Sequence, residues 1–376
     1  MGDLSLLVWT FSIIGFLLAA YSIVANDAIQ TLGTFLSSND KRPWWVLWLY
    51  ACSIIVAVMV YGYFALNQDI AFGRLNTLPY PENGVQWYHA VPPIFLLLLT
   101  RFGIPVSTTF LVLTIFALTG GASTDGVLPR MLLKSGMGYV VALGAAFVVY
   151  LAVSRFFERW IADTKDQPHS PIWYVLQWCS TAFLWSQWLM QDLANIFVFL
   201  PRTTELVPAL DNAGNPIIEN GVAVMETQVQ FSPMLLIFAT LVMLFLHAII
   251  FRARGGEIQK IVLSKTNTTD VRAATLVDFI YGLILFYFKE LNDVPMSTTW
   301  VFLGMLAGRE IAIAYIGGLR GKLEALWDVV SDIFRAFIGL VISVVLAIFL
   351  PAIAQGQLGA VLSDFPGYLS GILGLG

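Results

Sequence analysis

Pro105-Val106-Ser107-Thr108-Thr109 returns 190 residues later as Pro295-Met296-Ser297-Thr298-Thr299, with one substitution in five positions. Each copy lies inside an apolar stretch. Val91 to Thr119 is interrupted at Gly103-Ile104-Pro105, and Leu276 to Leu306 at Asn292-Asp293-Val294-Pro295. Each stretch therefore reads as two helices joined by a turn, a re-entrant helical hairpin. Non-helical backbone at membrane depth persists only where protein buries it or where it lines a polar cavity. The two breaks are thus the first places to look for a site.

The rest of the chain supplies the membrane. Of its residues 58% are hydrophobic and 12% are charged, about half the charged share of an ordinary soluble domain. Leu4 to Val24, Trp44 to Leu66, Met131 to Val153 and Pro233 to Phe251 are each close to the roughly 20 residues a helix needs to cross hydrocarbon. The first stretch lacks the basic leading region and small-residue cleavage site of a signal peptide, so it is expected to remain as a span. Trp44, Trp45 and Trp48 fit an interfacial aromatic belt. Cys52 and Cys179 fall within apolar spans and are expected to pack in the core. A net charge of -4 without a basic cluster excludes a nucleic-acid partner.

Lysine and arginine accumulate in cytoplasmic loops. Placing the amino terminus outside puts 13 of the 20 basic residues in loops 37–42, 155–171, 252–272 and 309–322, and 4 in the outside segments. A second, weaker repeat pairs Asn26-Asp27-Ala28-Ile29-Gln30 with Gln191-Asp192-Leu193-Ala194-Asn195, at an offset of 165. The polar loop Pro201 to Phe231, with its turn formers Asp211 to Pro216, absorbs most of the difference in offset. With three full crossings in each half, the second half enters from the opposite side. The expected fold is an all-α integral membrane protein of inverted-topology repeats, each with a broken first helix and a re-entrant hairpin. Residues 1–154 form the first repeat with its hairpin at about 91–119. A cytoplasmic linker covers 155–171, the second repeat 172–354 with its hairpin at about 272–308, and a tail 355–376.

Proline suits the first turn of a helix, and the residues after it present unpaired N–H groups. That end carries roughly half a positive charge and attracts anions. Ser107, Thr108, Thr109, Ser297, Thr298 and Thr299 add hydroxyl donors there, so the duplicated motif predicts a binding site for a tetrahedral oxyanion. Capping alone explains one such motif but does not require the same pattern in both halves. Asp27 and Asp192 lie deep in apolar helices, where a carboxylate costs a few kcal/mol and needs compensation. A sodium ion held by Asp27, Asp192 and the amides of Asn26, Gln191 and Asn195 would supply it, and so would a titrating proton. Lys289, Glu290, Arg309 and Glu310 read as structural charges, while Arg101, just before the first hairpin tip, could attract or gate an anion. His89, His169 and His247 have no metal-ligand spacing.

At these residues the chain resembles the inorganic phosphate transporter (PiT) family, whose halves each carry an N-D-V-A-N-like motif followed by a P-x-S-T-T-H-like hairpin. Asn26-Asp27 matches the start of the first motif and Asp192 to Asn195 its end; Gly33-Thr34 also matches. Phe110 and Trp300 stand where the family has histidine, and the acidic residue often found in the second helix is absent around Ile54. The resemblance implies a divergent member: a plasma-membrane secondary transporter, not an enzyme, with no cofactor. It would carry inorganic phosphate by cation-coupled symport, with sodium near Asp27 and Asp192 and phosphate near the six hydroxyl residues. It also implies a homodimer. A sulfate or other oxyanion permease, coupled to protons or sodium, is the nearest alternative. More remote are a non-transporting binding protein and an intramembrane aspartyl protease, the latter without a Gly-x-Gly-Asp-like element here.

Overall fold

The computed structural model describes residues 5–78, 80–101, 106–119, 126–164, 167, 169–209, 215–219, 222–256, 259, 270–291, 295–316 and 321–372. Its first half runs α1 (Leu6–Ser38), α2 (Trp44–Ala65), a short 3-10 turn at Trp87–Ala90, α3 (Val91–Arg101), α4 (Thr108–Thr119) and α5 (Val127–Asp163). The second half runs α6 (Pro171–Phe197), α7 (Pro233–Arg252), α8 (Val271–Leu291), α9 (Thr298–Ile316) and α10 (Lys322–Ala354). Both halves thus have a long helix, a second helix, a hairpin and a closing long helix. Six helices among the described residues are long and apolar enough to cross a membrane, and the chain is a multi-pass, all-α membrane protein.

Local chemistry sets the helix starts. Ser5 and Ser232 cap α1 and α7 by accepting from Val8 N and Leu235 N, and Pro171 and Pro233 occupy first-turn positions where no N–H is missed. The first helix of each half is not broken, contrary to expectation: α1 runs unbroken through Asn26-Asp27 and α6 through Asp192 to Asn195. The polar side chains find partners from neighbouring helices, so the backbone need not open.

The hairpins differ in length. At 11 and 12 residues, α3 and α4 are too short to span and fit a re-entrant hairpin. At 21 and 19 residues, α8 and α9 are nearly twice as long, and α9 continues past the expected end at 308. Arg309 is therefore helical rather than in a loop; it pairs with Glu310 at 3.1 Å and lies over the Tyr150 ring. The turns at 102–105 and 292–294, Arg101's side chain and those of Lys289 and Glu290 lie outside the described residues.

Packing follows the repeat. α9 packs along α5 as α4 packs on α10; α6 meets α8 as α1 meets α3; and α1 contacts α7 as α2 contacts α6. α1 and α6 touch each other, as do α2 and α7. α4 is buried from Thr108 to Ala117, as an all-round apolar helix must be. The backbones of α5 and α9 approach closely. A Cβ on Gly304 would lie 2.3 Å from the Tyr139 carbonyl oxygen, and one on Gly308 2.2 Å from that of Leu143.

Three segments depart from the expected loops. The polar loop after α6 contains an antiparallel ribbon, β1 (Thr203–Pro208) paired with β4 (Met225–Gln230), and a smaller pair, β2 (Ile218–Glu219) with β3 (Val222–Ala223). α5 covers much of the expected linker, and the tail forms α11 (Leu358–Ser363) and α12 (Phe365–Ile372). Cys52 is buried, but Cys179 is exposed and lines an apolar cavity of about 400 Å³ with Phe157, Trp173 and Phe279.

Candidate functional site

The site is built where the hairpin helices α4 and α9 begin, against the midsections of α1 and α6. Ser107 and Ser297 precede these helices and act as caps: their Oγ atoms accept from Phe110 N and Trp300 N, both at 3.2 Å. Capping thus accounts for an oxygen lone pair on each serine. The second tip is also anchored to α5, because Ser297 N donates to Ser135 Oγ at 2.8 Å.

The threonines turn to the aspartates. Thr108 donates to Asp27 Oδ2, whose Oδ1 accepts from Asn26 Nδ2 at 2.6 Å. Gln30 Nε2 in turn donates to Asn26 Oδ1 at 3.1 Å. In the second half, Asp192 Oδ1 accepts from Asn195 Nδ2 at 2.6 Å and from Thr109 Oγ1 at 3.4 Å. Thr109 crosses between the halves, because it belongs to the first hairpin and Asp192 to the second repeat. Its Oγ1 also lies 3.1 Å from the Met296 carbonyl oxygen and accepts from Asn195 Nδ2 at 3.2 Å. Thr298 stands close to Asp192 without completing a bond to its Oδ2, and its carbonyl accepts from Tyr281 OH at 3.1 Å. Thr299 is buried at the same tip.

All eleven residues singled out in the sequence are buried: Asn26, Asp27, Ser107, Thr108, Thr109, Gln191, Asp192, Asn195, Ser297, Thr298 and Thr299. Hydrogen bonds join Asn26, Asp27 and Thr108 in one group, and Thr109, Asp192 and Asn195 in another that reaches the second tip. Gln191 points elsewhere, donating to the Leu285 carbonyl on α8 at 2.8 Å.

The two carboxylates are not equivalent. Both oxygens of Asp27 have donors, whereas Asp192 Oδ2, Asn195 Oδ1 and Gln191 Oε1 are buried without a partner. All three orphans are oxygens on little more than one turn of α6. Lone buried acceptors in a set of carboxylate and carboxamide oxygens fit a hard cation, which takes oxygen ligands. Phe110 and Trp300 meet edge to face, with ring centroids 5.6 Å apart. An apolar contact between the hairpins thus occupies the positions beside the threonines.

Sequence reading missed a buried acid within the membrane helices. Asp278 of α8 is fully buried and bonded to Thr34, Gln177 and Thr181. A lone carboxylate inside the apolar run of α8, and Thr34 two turns after Asp27 on one helix face, were the available signals.

No family model matches the chain, and no curated protein matches it. Among solved structures it is similar to one described as "The sodium-dependent phosphate transporter", at 13% sequence identity and a TM-score of 0.52. The likeness covers 93% of this chain and 100% of that one, and it establishes a common fold.

Proposed function

We propose that this chain is a secondary transporter that carries inorganic phosphate across the plasma membrane by symport with sodium. The observation that carries the reading is the position of Thr109, whose hydroxyl reaches Asp192 and the Met296 carbonyl at once. It brings an anion-attracting helix start of one half, a buried carboxylate of the other half and the tip of the second hairpin to one place. The fold likeness described above supports the same reading.

In this mechanism phosphate lies between the starts of α4 and α9. The N–H groups of Thr108, Thr109, Thr298 and Thr299 precede the first intrahelical bonds and point toward the tips. Each helix start contributes roughly half a positive charge, without the desolvation cost of a full cation. Sodium is held at Asp192 and Asn195, and at Asp27 and Asn26 in the other half. The cations offset the charge of the anion and of both carboxylates, so closure is favoured only when both kinds of ligand are bound. The hairpins and first helices of the two halves, inverted relative to each other, expose the site to one side and then the other. The carrier works as a homodimer with its amino terminus outside.

Radiolabelled phosphate uptake into proteoliposomes, with and without an inward sodium gradient, tests this. Saturable uptake that needs the gradient is expected. Saturable sulfate uptake without phosphate uptake would transfer the site to another oxyanion, and uptake indifferent to sodium would remove the coupling.

A further inference from the structure

On the side of the membrane where α1 ends and α6 and α8 begin, a third carboxylate ties these helices together. Asp278 Oδ1 accepts from the Thr34 hydroxyl of α1. Its Oδ2 accepts from the Gln177 amide at 2.9 Å and the Thr181 hydroxyl at 2.7 Å, both on α6. The Gln177 amide is also 3.1 Å from Thr181 Oγ1, while Gln177 Oε1 is buried with no partner. Asp278, Gln177 and Thr181 have no solvent exposure.

Among the described residues no Lys, Arg or His is bonded to Asp278. The Arg272–Asp270 pair near the start of α8 is closed at 2.7 Å. Tyr50 of α2 and Cys179 of α6 are the further ionisable groups nearby, and the Tyr50 hydroxyl donates to the Trp178 carbonyl. Thr34 is the contribution of α1, and α5 and α9 bring no ionisable side chain to it among the described residues.

A carboxylate at this depth needs compensation, and here it comes only from hydroxyls and one amide. Their mutual distances are those of hydrogen bonds, which leaves no gap for a metal ion between them. A proton needs none. The cluster also has a partner for each form of the acid. Ionised, Asp278 accepts three hydrogen bonds. Protonated on Oδ2, its O–H can donate to Gln177 Oε1 once that amide turns over, but the charge-assisted bonds from the Gln177 amide and the Thr181 hydroxyl are lost, which loosens the tie to α6.

We propose that Asp278 is a proton-binding latch: ionised, it holds α1, α6 and α8 together, and on protonation it releases them. Thr34 lies about one turn from the end of α1, and Gln177 and Asp278 about two turns from the starts of α6 and α8. Parting these helices would strip the carboxylate of its donors, so it takes a proton from the water on that side and returns it when the contact re-forms. The role of the latch in access rests on the transport reading; the proton site does not.

Infrared difference spectroscopy of the full chain in lipid bilayers, titrated with acid in the absence of phosphate and sodium, tests the proton site. A carboxylic-acid C=O band should appear on acidification, vanish in Asp278→Asn and persist in Asp27→Asn. Gln177→Met keeps the carboxylate but removes a donor to its ionised form, so the band should appear at more alkaline pH. A band indifferent to both substitutions, or no band in the folded wild type, overturns the proposal. In proteoliposomes, Asp278→Asn should lose the dependence of phosphate flux on pH while keeping stabilisation by sodium; unchanged pH dependence refutes the latch. If the wild type moves no phosphate, the transport reading fails while the infrared result still decides the proton site.

Discussion

Thr109 Oγ1 lies 3.1 Å from the carbonyl oxygen of Met296, a residue 187 positions later, so the tips of the two hairpins are in direct contact. The same hydroxyl reaches Asp192. Thr109→Val keeps the shape and removes the link. Hydrogen bonds involving a charged group contribute about 1.5–3 kcal/mol, so the half-saturating phosphate concentration should rise by roughly 10- to 150-fold. Thr109→Ser should recover most of it. Thr114 on the same helix is the control: its hydroxyl is buried and unpartnered, so Thr114→Val should leave uptake unchanged.

Sodium should raise the melting temperature of the purified protein, and Asp192→Asn should abolish that rise, because it neutralises the carboxylate among the orphaned oxygens of α6. Asp27→Asn should weaken the rise less, since both Asp27 oxygens already have donors. Equal sodium response in wild type and Asp192→Asn would move the cation elsewhere.

Gly304 and Gly308 let the backbone of α9 approach α5 as closely as small residues four apart allow in membrane helices. Gly304→Ala or Gly308→Ala places a methyl carbon within 2.3 Å or 2.2 Å of a backbone oxygen that has no rotamer to escape. Each should destabilise the protein by about 1–3 kcal/mol, read as a lowered melting temperature in detergent. Gly144→Ala, with open space around the added carbon, should be neutral.

At the start of α8, burial pushes the Asp270 carboxyl up. Hydrogen bonds and charge from Arg272, with His169 3.8 Å away, outweigh it and hold the pKa below its ordinary 3.8. A depressed folded-state value means that the ionised form favours folding. This contribution is complete above the ordinary carboxylate range and is lost as pH falls through the lowered value. Melting temperature should therefore fall on acidification, and Arg272→Gln should flatten that part of the profile. An identical acid limb in the variant would refute the coupling.

Much of the buried polar cluster was legible because its residues violate the rule of their surroundings. Asp27 and Asp192 are carboxylates in apolar helices, and the Ser-Thr-Thr pair is a repeated pattern at two breaks. The division of labour within that pattern was not legible: the serines cap, Thr108 serves its own half, and Thr109 crosses to the other. That depends on which way side chains leave the first turn, which spacing alone does not specify. The first helix of each half was expected to be broken. Both stay whole: Thr108 and Asn26 occupy both oxygens of Asp27, and Asn195 occupies one oxygen of Asp192, without the backbone opening.

Asp278 shows the same limit in another form. In the sequence it is one acid among apolar residues, with Thr34 and Gln177 lying 244 and 101 positions away. By itself the sequence determined a membrane protein of two related halves, each carrying a hairpin, because hydrophobic length and a duplicated motif are local properties of the chain. Only the tertiary structure decided that Thr109 meets Asp192, that the second hairpin is the longer, that a ribbon forms in the polar loop after α6, and that a third carboxylate joins three helices. Those contacts depend on helix rotation and depth, which are set by packing and by the pairing of buried polar side chains.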